Sequence, residues 1–145
     1  MTQEDKDLLL KDLCARLPYG VRMFEIEPIN DIQSHLTLYS ITNKKSVICI
    51  TPSGGVIGSS IDGFKPYLFP ISSMTEEQRE EFLNIQTEER QILLNALIEY
   101  KSGKYDKIPI IAPYKQIEWL NKNYFDYRGL IEKGLAINCT GLNIY

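Results

Sequence analysis

Histidine occurs only once in the chain, at position 35, and this scarcity narrows the chemistry available to it. A serine or cysteine nucleophile activated by imidazole has to use that one ring. His35 stands beside Ser34 at the start of a predicted strand, with no nucleophile-elbow sequence anywhere, and reads as an exposed strand-end side chain. Cysteine is also sparse: Cys14, Cys49 and Cys139 lie far apart. Structural zinc sites present ligands two to four residues from one another, so no metal site is expected. An odd number of widely spaced cysteines suits a reducing, cytoplasmic compartment. No apolar run approaches the roughly 18 residues that read as a membrane-spanning helix, so no membrane association is expected. The opening MTQEDKDLLLKDL is acidic and helical where a secretory signal begins basic and continues apolar. Repeats and low-complexity tracts are absent as well.

What is present suits a single globular domain, residues 1–145, able to bury a core without disulfides or metals. The net charge of −3 is unevenly spread. Residues 1–99 hold nine Lys/Arg against fifteen Asp/Glu, a net of −6, whereas residues 100–133 hold seven against four, a net of +3. The second segment also carries Tyr100, Tyr105, Tyr114, Trp119, Tyr124, Phe125 and Tyr127. Cations that neutralise phosphate, set among aromatics that stack on bases, are the equipment of single-strand nucleic-acid binders. On that reading the contacts are Lys101, Lys104, Tyr105, Lys107, Lys115, Lys122 and Arg128. The competing reading makes the aromatics core and the lysines solvated, since aromatic rings bury large areas by default.

The first helix is expected over residues 3–17. Leu9, Leu10, Leu13, Cys14 and Leu17 recur on one face, Thr2 caps it, and Pro18 and Gly20 stop it. Strands follow at residues 21–27, 35–42 and 46–51. Residues 43–45 form a polar hairpin loop between the second and third, with residues 56–61 as an edge strand. Within the second strand, Leu36, Leu38 and Ser40 share one face, with Thr37, Tyr39 and Ile41 on the other. Gly54-Gly55 lacks the spacing of a phosphate loop and reads as a tight turn. Pro66 and Pro70 exclude a central strand from residues 64–71, leaving an extended surface crossing. Thr75 with Gln78 matches a capping box, opening one long helix, or two with a second cap at Thr87, to about residue 101, with Phe82, Leu83, Ile85, Leu93, Leu94, Leu97 and Ile98 as inner positions. A helix over residues 114–121 precedes a break. Asp126 then caps a second short helix, Gly134 ends it, and a strand follows.

Three blocks of this pattern, EDKDLLLKDLCARLPYGV (residues 4–21), KPYLFPISSMTEE (65–77) and WLNKNYFDYRGLIEKGLAI (119–137), together resemble a group of short uncharacterised proteins of gut Bacteroidetes and their phages or mobile elements. They cover 50 of the 145 residues, in order, at the start, middle and end of the chain. The resemblance implies an origin and a gene context. It brings no catalytic residues with it. In the proline block the group has an arginine and a methionine (KPYLRPMSSMT) where this chain has Phe69 and Ile71.

These readings give an α+β domain, with a small, mainly antiparallel sheet of three to five strands packed by an N-terminal helix and two or more C-terminal helices. The core is expected to contain Leu9, Leu13, Leu17, Leu38, Val47, Ile48, Ile50, Phe82, Leu97, Trp119, Leu120, Leu130, Ile131 and Leu135. No acid, base, nucleophile or cofactor constellation stands out, so neither a catalytic activity nor a cofactor is expected. The leading expectation is a non-catalytic accessory protein of a phage or mobile element that binds another protein, through the proline segment at residues 65–71 or through an acidic helix carrying Glu76, Glu77, Glu80, Glu81, Glu88 and Glu89. The alternative is a nucleic-acid-binding accessory factor using residues 100–133.

Overall fold

A computed structural model of the chain describes residues 1–26, 36–42, 46–103 and 114–145. The fold is α+β, and its chain contacts separate two compact units: Met1–Ser73 with Asn121–Tyr145, and Met74–Leu120.

The first unit begins with α1 (Gln3–Arg16), capped by Thr2 in a reciprocal box with Asp5. A short 3₁₀ turn through Pro18 ends it, and Gly20 adopts a φ of 63°. Five strands then build the antiparallel part of the sheet: β1 (Arg22–Glu25), β2 (Leu36–Ile41), β3 (Ser46–Ile50), β4 (Val56–Ser60) and β5 (Phe64–Pro70). Two-residue strands β6 (Phe125–Asp126) and β7 (Ile137–Asn138) add to β5 in parallel, giving the order β4-β3-β2-β1-β5-β6 with β7 also on β5. β4 is the expected edge strand. The Gly54-Gly55 segment is the expected turn, closed by Thr51 N–H donating to Gly55 O at 2.9 Å and by Gly55 N–H donating to Thr51 Oγ1 at 2.8 Å.

The prolines did not keep residues 64–70 out of the sheet. β5 pairs with β1 through residues 64–66 and with β7 and β6 through residues 67–70. Its second half is bonded on both edges: Leu68 O accepts from Cys139 N–H and Phe69 N–H donates to Tyr124 O, and consecutive strand residues point their backbone groups to opposite sides. A proline removes one donor from a strand, and the loss is tolerated where that nitrogen faces away from the paired neighbour: Ile26 N–H bonds Gly63 O, which turns Pro66 away from β1, and Phe69 N–H bonds Tyr124 O, which turns Pro70 away from β6.

One core serves this unit. Leu9 and Leu13 of α1 cluster with Met23, Leu36, Leu38, Val47, Cys49, Phe64 and Leu68 of the sheet and with Leu130 and Leu135. The sheet is covered on the face of Val47 and Cys49, so Ile48 and Ile50 are only half buried, contrary to expectation. Leu17 and Ile131 are half buried and pack at its margin. A bulge between Leu38 and Ser40 shifts the register of β2. It resets the alternation, so Ile41 also packs against the core instead of facing away from Leu38. Cys14, expected on the inner face of α1, is exposed; the inner stripe is Leu9, Asp12, Leu13 and Arg16.

After β6 the expected second helix is a single turn. Asp126 caps it, accepting from the backbone N–H groups of Arg128 (3.2 Å), Leu130 (3.0 Å) and Ile131 (2.7 Å). Gly134 closes it with a φ of 68°.

The second unit holds α2 (Glu76–Lys101), one uninterrupted helix of 26 residues, and α3 (Tyr114–Lys122) as far as Leu120. Thr75 and Gln78 form the expected reciprocal cap. Thr87 does not start a new helix: its hydroxyl donates to Leu83 O at 3.0 Å, the back-bonding that lets threonine sit inside a helix. Phe82 and Leu97, expected in the core, are only half buried.

A candidate interaction surface on the long helix

Within the second unit, the face of α2 that carries Phe82, Ile85, Glu89 and Ala96 is covered to varying degrees. Phe82 meets the Trp119 ring at a centroid distance of 5.5 Å. Glu89 is buried, unlike the other five glutamates of the acidic run. Its carboxylate accepts from Lys115 N–H at 2.8 Å and from Gln116 Nε2 at 2.7 Å, at the N-terminus of α3, while Glu88 lies 3.7 Å from Lys115 Nζ. An anion at a helix N-terminus satisfies orphan donors and meets the positive end of the helix dipole. The acidic run is therefore only partly a solvated face.

The opposite side of α2 is unusual. Leu83, Leu94 and Ile98 are 50%, 51% and 57% exposed there, while Ile92 and Leu93, also exposed, flank the Glu89 face. A contiguous group of outward aliphatic side chains on one helix exceeds the scattered single exposures normal for a protein surface. The residues between them, Thr87, Arg90 and Gln91, are also exposed. Thr87 has its hydroxyl satisfied internally, and Gln91 donates to Asn95 Oδ1 at 2.9 Å.

The other proposed contact segment is placed differently. Residues 64–70 form β5, with Phe64, Pro66 and Leu68 buried; of the hydrophobic residues at 65–71, only Ile71 is exposed.

The basic aromatic segment is divided. Lys104, Tyr105 and Lys107 lie outside the described residues, as does His35. Lys101 is exposed at the end of α2, Lys122 is exposed at the end of α3, and Lys115 faces Glu88. Arg128 is drawn into the first unit, its Nε 3.2 Å from the buried Asp12 Oδ1 as an ion-pair contact. The Arg128 guanidinium also covers the Tyr127 ring at 4.7 Å and donates to Tyr127 Oη at 2.7 Å. Trp119 and Phe125 are buried. Tyr124 stacks on Tyr145 at 3.9 Å and donates its hydroxyl to Tyr19 O at 2.6 Å. Only Tyr114, among the described aromatics of this segment, is largely exposed.

The sequence reading missed the polar centre of the first unit. Asp12 and Arg16 are both fully buried and bidentate, with Nε–Oδ2 at 2.7 Å and Nη2–Oδ1 at 3.2 Å. Arg16 also donates to Phe125 O at 2.7 Å, and its guanidinium lies 5.6 Å from the Tyr127 ring centre. A pair four residues apart on an otherwise apolar face was the available signal.

An open cleft of about 400 Å³ lies between the end of β1 and the turn that follows β4, lined by Glu25, Ser59, Ser60 and Asp62. Asp62 is already occupied there: Lys6 Nζ lies 2.6 Å away and Ser60 donates to it. The Lys6 hydrogen bond, and then that of Ser60, lower its carboxyl to about 2. Burial raises the Cys49 thiol to about 12 and the Cys139 thiol to about 11. Among the described residues, no group of three or more His, Cys, Asp or Glu is arranged to hold a metal, and no helix is long and apolar enough to cross a membrane. Comparison with protein-family models, curated proteins and solved structures gives no match.

Proposed function

We propose that the chain is a non-catalytic accessory protein of a phage or mobile element, and that it acts by binding another protein through the outward face of α2. The observation that supports this reading is the exposure of Leu83, Leu94 and Ile98 along a helix whose other face packs Phe82 on Trp119 and buries Glu89. Leaving three aliphatic side chains half in water forgoes burial worth about 1 kcal/mol or more each, which a partner recovers. The acidic N-terminal half of the helix adds charge that discriminates among partners more than it adds affinity. The resemblance of the three sequence blocks supports the gene context.

The test is affinity capture with the wild-type chain and with the Leu83→Glu/Leu94→Glu variant. Both positions are exposed, so the variant is expected to retain its far-UV circular dichroism and melting temperature while losing the captured protein. Capture that survives both substitutions refutes α2 as the docking surface. Salt-sensitive anisotropy of labelled single-stranded DNA or RNA, abolished by Lys101→Glu/Lys122→Glu, would favour the nucleic-acid reading instead.

A further inference from the structure

We infer that the outward face of α2 docks on the same face of a second copy of this chain, with the two helices antiparallel. This rests on the reading of α2 as an interaction surface and names its partner.

The argument is one of register and charge. At 100° per residue, Glu80, Leu83, Thr87, Leu94, Ile98 and Lys101 fall within a stripe about 60° wide. All six are exposed. The stripe is symmetric about a point between Arg90 and Gln91. Turning a second helix end for end about that point sets Leu83 against Ile98, Thr87 against Leu94, and Glu80 against Lys101, each contact made twice. The apolar pairs lie inside and the opposite charges lie at the two ends. Thr87 brings no unsatisfied donor into such a contact, because its hydroxyl is bonded to Leu83 O.

The parallel arrangement puts Glu80 on Glu80, Arg90 on Arg90 and Lys101 on Lys101. It also aligns two copies of residues 76–89, which hold six glutamates and one arginine. Like charges across a helix interface are destabilising, and charge pattern is the usual determinant of helix orientation. The antiparallel arrangement lays that acidic half against residues 90–101, which hold Arg90, Lys101 and a single Glu99.

Sedimentation velocity of the full chain in reducing buffer, across low to high micromolar concentration, tests this. Reducing conditions keep the exposed Cys14 from cross-linking. A reversible monomer–dimer equilibrium is expected. Leu94→Glu raises its dissociation constant by about two orders of magnitude, because the contact is lost in both symmetry-related places. Glu80→Lys alone also weakens the dimer, and Glu80→Lys/Lys101→Glu restores it. A chain that stays monomeric at every concentration overturns the inference. So does a dimer indifferent to Leu94→Glu, or a double charge swap that fails to restore association. A monomeric chain that still captures a different protein, in a way Leu94→Glu abolishes, removes the second copy and leaves α2 as the docking surface. A monomeric chain with no such capture removes both.

Discussion

Truncating Asp12 to alanine is expected to be among the most damaging single substitutions in the first unit. Asp12 is fully buried and faces two guanidinium groups, Arg16 at 2.7 and 3.2 Å and Arg128 at 3.2 Å. Removing it strands the positive charge of Arg16, which is fully buried, and leaves no carboxylate to answer the bonds that guanidinium makes to the carbonyls of Phe125 and Asn121. Removing one partner of a buried ion pair costs about 3–5 kcal/mol, because an uncompensated charge stays behind. For a chain of this size that corresponds to a fall in melting temperature of about 10–15 °C. Removing both partners with apolar groups of similar volume costs less, since the desolvation penalty disappears along with the attraction. Asp12→Leu/Arg16→Met should therefore be more stable than Asp12→Ala. The assay is urea denaturation followed by circular dichroism, urea being preferred because guanidinium salts screen the interactions in question. A loss of under about 1 kcal/mol for Asp12→Ala, or a double substitution costing the sum of its singles, would refute the reasoning.

The native chain should expose a single fast-reacting thiol to a disulfide reagent at pH 8, that of Cys14; burial holds Cys49 near 12 and Cys139 near 11, and all three should react once the chain is unfolded. Three fast thiols in the native protein would contradict the buried placement of Cys49 and Cys139. Asp126→Ala removes the acceptor of three backbone N–H groups and should cost about 1–3 kcal/mol, read as a shift in the urea midpoint. Asp62 is held at about 2 in the folded chain against an ordinary 3.8, so its contribution is fully present above pH 4 and is lost as pH falls toward 2. The pair is partly exposed, which limits the effect to about 1 kcal/mol or less; Asp62→Asn should flatten the acid limb of stability against pH by that amount, and an unchanged limb would show the pair to be inert.

The elements that the sequence announced are those set by local chemistry. Thr2 and the Thr75–Gln78 box begin their helices as local hydrogen bonding requires, and the β3–β4 turn closes on Thr51. What escaped depends on partners distant along the chain. Asp12 and Arg16 look like solvated helix charges until residues 121–128 are brought onto them. The stripe they occupy rotated Cys14 out to solvent and Leu17 to the margin of the core. Pro66 and Pro70 argue against a central strand on local grounds. The argument fails because the nitrogens of Pro66 and Pro70 face away from β1 and β6, so neither ladder loses a donor. Residues 126–134 carry both ends of a helix, yet the chain between them makes only a single turn. For the candidate surface, the acidic character of α2 was legible. The outward leucines and isoleucine were not, because apolar residues on a helix are assigned inward by default.

β5 also sets a clock on synthesis. Its pairing with β1 is available as soon as residue 70 has been made, but the earlier of its other two neighbours begins at Phe125, 55 residues later. At about 5–20 residues per second the ribosome takes roughly 3–10 s to supply it. For that interval the second half of β5 offers an unpaired edge, the kind of surface on which nascent chains stick to one another. Pro66 and Pro70 lack the donors such an edge would present, so the residues that looked like obstacles to a strand make this one a poor template for the wrong neighbour while the right one is still being translated.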